Sequence, residues 1–281
     1  MERRQAVLVR KKFIRRQEVA LMVVAIGMGA IAASAQAPAP TQSPEEKGLD
    51  IAREADRRNS GWQDAAFGVT MVLRDQKGRE TIRRMRNRSL EMEGDGDKIL
   101  IVIDEPRDVK GTALLTHSHK DRPDDQWLYL PALKRVKRIA SNNKSGPFMG
   151  SEFSYEDLTS QELERFSYRY LRDETFGGED CFVFERTPLE KNSGYTRQVV
   201  WMDKSEYRIH KVDFFDRSDT LLKTLSSTQH RQHLDKYWRA EFLEMTNHQT
   251  GKRTTLTQSE ITFGQGLQER DFDKNSLARI R

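Results

Sequence analysis

The sequence predicts a mainly β (α+β) protein built on a single antiparallel sheet with a few helices. Three observations carry this. Apolar residues recur with a period of two, as in Ala65, Phe67, Val69, Met71 and Leu73, the alternation of a strand with one buried face. The runs are separated by short breaks such as Asp75-Gln76-Lys77-Gly78, Gly94-Asp95-Gly96-Asp97 and Asp216-Arg217-Ser218-Asp219, which suit hairpins. No regular strand–helix alternation occurs, which a parallel sheet would need for its crossovers.

Residues 1–35 read as a secretory signal. Seven Lys and Arg residues precede an apolar run from Val19 to Ala33, and Ala33-Ser34-Ala35 forms a cleavage-like end. That run of 15 residues is short for a spanning helix, which needs about 20; an uncleaved anchor is the alternative. The leader holds seven basic and two acidic residues of the chain's 48 and 43, so its removal leaves 41 of each. Net charge then gives no case for nucleic-acid binding. Cys181 is the only cysteine, which excludes an internal disulfide and leaves a hydrophobic core to stabilise an exported chain. Its place in Cys181-Phe182-Val183-Phe184 suits a buried, inert thiol.

The remaining elements follow in order. Residues 36–44 form a Pro-rich linker, and residues 45–281 the folded domain. Glu45–Arg58 suits a short amphipathic helix with Ser43 as N-cap. The stretch from Ala65 to Leu73 is the first strand. Arg79 to Glu93 reads as a long polar strand whose alternate residues Thr81, Arg83, Met85, Asn87 and Ser89 make a wet face. Lys98–Asp104 is apolar on both faces and predicts a central strand. Thr112–Ser118 continues the meander. Seven further strands are predicted between Phe166 and Phe263, and a last short helix over Asp271–Arg281. This pattern fits a sheet curved around a partly empty interior and an ordinary packed β-core alike.

The most informative stretch is Asp124–Leu158. It holds an aromatic strand Trp127-Leu128-Tyr129-Leu130, a break at Pro131, a basic segment Lys134-Arg135-Val136-Lys137-Arg138-Ile139, and a Gly- and Pro-containing loop ending Phe148-Met149-Gly150-Ser151-Glu152-Phe153-Ser154-Tyr155-Glu156-Asp157. Apolar side chains in such a loop point to a lid, because loops lie at the surface. In order and spacing this segment resembles the periplasmic LolA-like family of outer-membrane lipoprotein-sorting proteins. The resemblance implies a curved antiparallel half-barrel, helices over its concave apolar face, and a cavity for lipid or acyl chains. It also implies, for some members, work with inner-membrane exporters of the RND type. By resemblance, the ligand contacts are placed at Trp127, Tyr129, Phe148, Met149, Phe153 and Tyr155.

The basic residues Lys134, Arg135, Lys137 and Arg138 have three readings: a solvated charged hairpin, a dock for anionic headgroups, or a dock for an exporter's acidic face. Val136 and Ile139 are expected to point into the sheet. His117 and His119, with nearby Asp residues, look superficially like metal ligands, but their polar surroundings favour a solvated loop; His230 and His233 lack a third ligand. Glu152, Glu156 and Asp157 are likewise expected to be solvated. No nucleophile elbow, P-loop, zinc-protease helix or dinucleotide fingerprint occurs, so neither an enzyme nor a cofactor is expected. The resemblance, with the secretory leader, therefore implies a Gram-negative periplasmic carrier for lipid or acylated lipoprotein, with peripheral membrane contact and an RND-type exporter as partner. A periplasmic sensing or adaptor module that binds a protein is the alternative.

Overall fold

The computed structural model describes residues 42–280; the signal and most of the linker lie outside the described residues. The first element is helix α1 (Pro44–Asn59). Ser43 caps it: its Oγ accepts from the Glu46 backbone N–H at 3.1 Å, and the Glu46 carboxylate accepts from the Ser43 N–H at 2.9 Å. Pro44, read from sequence as the end of the linker, is the first helical residue, where its missing N–H costs nothing.

Thirteen strands follow in one antiparallel sheet: β1 (Asp64–Arg74), β2 (Glu80–Leu90), β3 (Lys98–Glu105), β4 (Ala113–His117), β5 (Asp125–Leu130), β6 (Arg135–Arg138), β7 (Phe166–Phe176), β8 (Glu179–Pro188), β9 (Arg197–Asp203), β10 (Ile209–Phe215), β11 (Leu221–His233), β12 (Tyr237–Asn247) and β13 (Arg253–Phe263). Two meanders, β1–β6 and β7–β13, are zipped together where β1 pairs with β13. The sheet does not close: β6 forms one edge and β7 the other. The expected half-barrel is thus present.

That topology decides what covers the inner face. Residues 139–165 join β6 to β7, which lie on opposite edges, so this segment must cross the sheet. It crosses as a chain of short 3₁₀ turns that carries Ile139, Phe148 and Phe153 into the core. Helix α1 packs Ile51 and Ala52 over the β7–β12 half. Gly48 lets it settle there, since a Cβ at that position would lie 2.7 Å from the Tyr170 backbone nitrogen. The cover is therefore one α-helix and a run of short 3₁₀ helices, the few helices expected over the concave face.

The outer face is covered at one end by the segment after β13, whose Phe272 and Leu277 pack on Leu100, Val102, Ala113 and Leu115. This explains why β3 is apolar on both faces: Ile101 and Ile103 face inward, Leu100 and Val102 outward.

On β2 the predicted wet face is the inner one. Met85 pairs with Val69 and Ile103, both on the inner face, and is 5% exposed. The solvated residues are the alternate set, with Ile82 52% exposed and Arg84 in an ion pair with Glu105. Neither parity of β2 is apolar, so only its neighbours fix which side faces in.

Candidate functional site

Between the inner face and the 139–165 segment lies an apolar cavity of about 370 Å³. Its floor comes from both meanders: Val69, Met71, Met85 and Ile101 from one, Val212, Phe214, Leu225, Leu243 and Met245 from the other, and Leu256 of β13 between them. Its roof is Phe148, Phe153 and Leu158. A second, polar cavity of about 460 Å³ opens beside it, between the C-terminal half of α1 and the inner ends of β8–β12. Gln161, Arg186, Ile209 and Ser227 line both, so the apolar chamber has a polar mouth.

The roof is fastened to five strands, β2, β5, β11, β12 and β13. Arg83 Nη1 donates to the Met149 carbonyl at 2.6 Å, and Gln126 Nε2 to the Tyr155 carbonyl at 2.9 Å. The Glu152 N–H donates to Thr254 Oγ1 at 3.0 Å, and the Glu152 carboxylate accepts from Asn247 Nδ2 at 2.7 Å. At the centre is a buried ion pair: Lys223 Nζ lies 2.6 Å from Asp157 Oδ2, with both side chains at most 6% exposed. Asp157 also accepts from the Ser154 N–H at 2.6 Å and the Tyr195 hydroxyl at 2.8 Å. Burial, then the charges of Asp157 and Glu156, push the Tyr195 hydroxyl's pKa well up, so it stays a donor. Glu156 accepts from Ser193 Oγ at 2.8 Å and the Gly194 N–H at 2.9 Å. The carboxylates Glu152, Glu156 and Asp157 are therefore not solvated, as the sequence had led us to expect; they are the anchors of the roof.

The sequence-predicted contacts divide in two. Phe148 (1% exposed) and Phe153 (4% exposed) line the cavity. Met149 and Tyr155 pack against the same cluster without lining it. Trp127 and Tyr129 stand on the outer face, under the C-terminal segment, with Lys274 Nζ 5.7 Å from the Trp127 ring centroid. Their neighbour Leu128 is the one that faces in. An aromatic strand draws attention to its largest side chains, but strand parity sends those two away from the cavity.

The basic residues Lys134, Arg135, Lys137 and Arg138 are all exposed, on or just before edge strand β6. Arg138 pairs with Asp125; the other three make no ion pair among the described residues. Val136 is 40% exposed, against expectation, whereas Ile139 is buried in the inner core. Charge on an exposed edge also blocks pairing with another sheet.

His119 is buried rather than solvated. Its Nδ1 lies 2.7 Å from Asp95, and its backbone N–H donates to Asp124 Oδ1 at 3.0 Å, bracing two loops at the sheet's end. Among the described residues no group of three or more His, Cys, Asp or Glu is set to hold a metal. Cys181 is fully buried, and burial raises its pKa.

The floor residues from β10–β13 and the mouth arginines were missed from sequence. Their signal was the alternation Ile209, Lys211, Asp213 against Val212, Phe214, which shows a buried face but not that space is left above it.

A family model described as an uncharacterized protein matches residues 95–279. Among solved structures, a domain assigned to outer-membrane lipoprotein sorting from Vibrio parahaemolyticus is 58% identical, with a TM-score of 0.82, and the match covers 84% of this chain and 100% of that one. The chain belongs to the LolA-like family of outer-membrane lipoprotein-sorting proteins. A DUF1329 family protein from Desulfovibrio piger is similar to this LolA-like chain at 29% identity and a TM-score of 0.79, covering 84% and 99% of the two chains. A LolA superfamily protein from Nitrosomonas europaea shares the fold at 20% identity, with a TM-score of 0.66 and coverage of 81% and 98%. No curated protein matches.

Proposed function

We propose that this LolA-like chain is a periplasmic carrier that shelters an acyl chain of a lipid or lipoprotein on its way between the inner and outer membranes. One observation carries the reading: an apolar chamber of about 370 Å³ that the fold roofs over yet leaves open through a polar mouth. A packed core would not keep such a space, because interiors close to near-crystalline density. Each methylene moved out of water contributes about 0.8 kcal/mol. A membrane offers the same contribution, so exchange between carrier and bilayer is close to balanced and reversible.

The roof is tied down at five strands, so the wall formed by Phe148 and Phe153 is read as fixed and the mouth beside α1 as the entrance. Lys134, Arg135 and Lys137 on the β6 edge are free to meet anionic headgroups, at about 1 kcal/mol each, or the acidic face of an RND-type exporter.

The test is native mass spectrometry of the protein purified from periplasm without detergent, followed by lipid extraction. A discrete acylated adduct is expected, and Leu243→Trp, which fills the chamber, is expected to lose it. A clean protein mass that stays clean after incubation with membrane vesicles would refute the carrier and favour an adaptor that binds protein.

A further inference from the structure

The apolar chamber and the polar mouth meet at Arg186, which has no ion pair among the described residues. Arg186 stands on β8, two residues from the inward-facing Phe184. Its Nε donates to Gln198 Oε1 at 2.7 Å, and its guanidinium lies 4.9 Å from the Phe166 ring centroid. Among the described residues its two terminal nitrogens make no hydrogen bond and no ion pair. They are not sealed from solvent either, for Arg186 lines both the chamber and its mouth. The carboxylate that acts on it, Asp157, is already held by Lys223, Tyr195 and Ser154. Burial lowers the pKa of this guanidinium, yet arginine remains charged at such depth. A half-buried cation beside a cavity, with no carboxylate bonded to it among the described residues, calls for an anion.

The rest of the mouth agrees. Arg239 is bonded to neutral oxygens, Asn59 Oδ1 at 2.6 Å and the Trp238 carbonyl at 2.9 Å. Lys236 Nζ is bonded to the Ser60 carbonyl at 2.8 Å. Neither pairs with a carboxylate among the described residues. Three acidic side chains share the mouth: Asp56, Asp97 and Glu206. Burial, then the charge of Glu162, pushes Asp97 up to about 7; burial also raises Asp56; Glu206 accepts from Trp238 Nε1 at 3.1 Å. None of these three acids is hydrogen-bonded or ion-paired to Arg186 among the described residues.

We propose that the cargo is an anionic amphiphile, its acyl chain in the apolar chamber beside Phe153 and its phosphate or carboxylate paired with Arg186 at the mouth. The planar fork of an arginine suits both anions in two-bond geometry. This rests on the carrier reading and narrows it from acyl chains in general to those bearing an anionic group next to the chain.

Trp62 and Trp238 line the mouth, so tryptophan fluorescence reads occupancy. The protein is titrated below micelle concentrations with oleate, oleoyl lysophosphatidic acid, neutral monoolein and inorganic phosphate. At least one anionic lipid is expected to bind about tenfold tighter than monoolein, and whichever does so names the headgroup. In Arg186→Gln that preference is expected to vanish while monoolein binding is unchanged; Arg186→Met, which keeps the packed stem, replaces it should the first variant not fold. Equal affinity for monoolein and both anions overturns the proposal, as does a preference that survives both substitutions. Arg186-dependent binding of phosphate alone, as tight as that of the lipids, overturns it in favour of a free-anion site. Failure of all three lipids to bind overturns the carrier reading itself, a different outcome from loss of selectivity.

Discussion

Replacing Lys223 by Met should loosen the roof and destabilise the protein. The pair it forms with Asp157 spans 2.6 Å, with side-chain exposures of 4% and 6%. Removing one member of a buried pair costs about 3–5 kcal/mol, because the other charge is left without compensation. The stranded Asp157 would keep two donors, the Ser154 N–H and the Tyr195 hydroxyl, which places the loss near about 3 kcal/mol. With a urea m value of about 3 kcal/mol/M, the midpoint falls by about 1 M. Hydrogen exchange should show faster opening of residues 148–158 in particular, since Lys223 Nζ also holds the Glu152 carbonyl at 2.9 Å. The double variant Lys223→Met/Asp157→Asn should cost clearly less than the two single changes added together. A single-variant loss under about 1 kcal/mol, or simple additivity in the double, would show that the pair does not hold the roof.

Other expectations follow from the same geometry. Ser43→Ala removes the α1 capping box and should cost about 1 kcal/mol, read by thermal or urea unfolding. Gly48→Ala drives a Cβ to within 2.9 Å of the Arg169 and Tyr170 backbone; the loss should be about 1–3 kcal/mol, and the tryptophans at the mouth should report the displaced helix. Phe153→Asp puts a charge into the roof and should abolish lipid adducts in native mass spectra; unchanged occupancy would remove the roof from the binding site. Asp97 has its pKa raised to about 7 by burial and by Glu162. Its contribution to stability is present below the unfolded value near 3.8 and is lost as pH rises through 7. Wild type minus Asp97→Asn should therefore become less favourable between pH 4 and 7, by up to about 1.4 kcal/mol per pH unit; a difference flat with pH would sink the assignment.

The strands were legible because each carries its own local signal. Alternation and Gly- and Asp-rich turns located twelve of the thirteen to within a few residues, the basic edge strand β6 being the exception, and the Ser43 cap with its amphipathic run located α1. What escaped was whatever depends on partners far along the chain. On β2, Arg83 and Arg84 are equivalent in sequence; one reaches the roof at Met149 and the other meets solvent beside Glu105. On β5, Trp127 and Tyr129 are turned outward because Leu128 pairs into the Ile101 and Leu114 side of the sheet, and the C-terminal segment lies over them. Arg186 resembled any charged strand residue until its neighbours Gln198 and Phe166, and the space beside it, were known. The resemblance of residues 124–158 to a family identified the roof segment, but strand parity decided which of its aromatics face the chamber.

The chamber itself follows from arithmetic that no local signal contains. Thirteen strands spaced about 4.8 Å apart make a sheet about 60 Å across. Curled into a half-barrel, its inner face is roofed by one helix of 16 residues, about 24 Å long, and by a single irregular crossing of residues 139–165. Two such covers, each about 10 Å wide, cannot meet every inward side chain. The helix lies over the β7–β12 half, the crossing is anchored on β2, β5 and β11–β13, and the space left between them is floored by both meanders. There Val212, Phe214, Leu225 and Leu256 line the space together with Val69, Met71 and Met85, and Arg186 stands at its mouth. An unfilled apolar space with an arginine at its exit is what the connection between opposite sheet edges leaves behind.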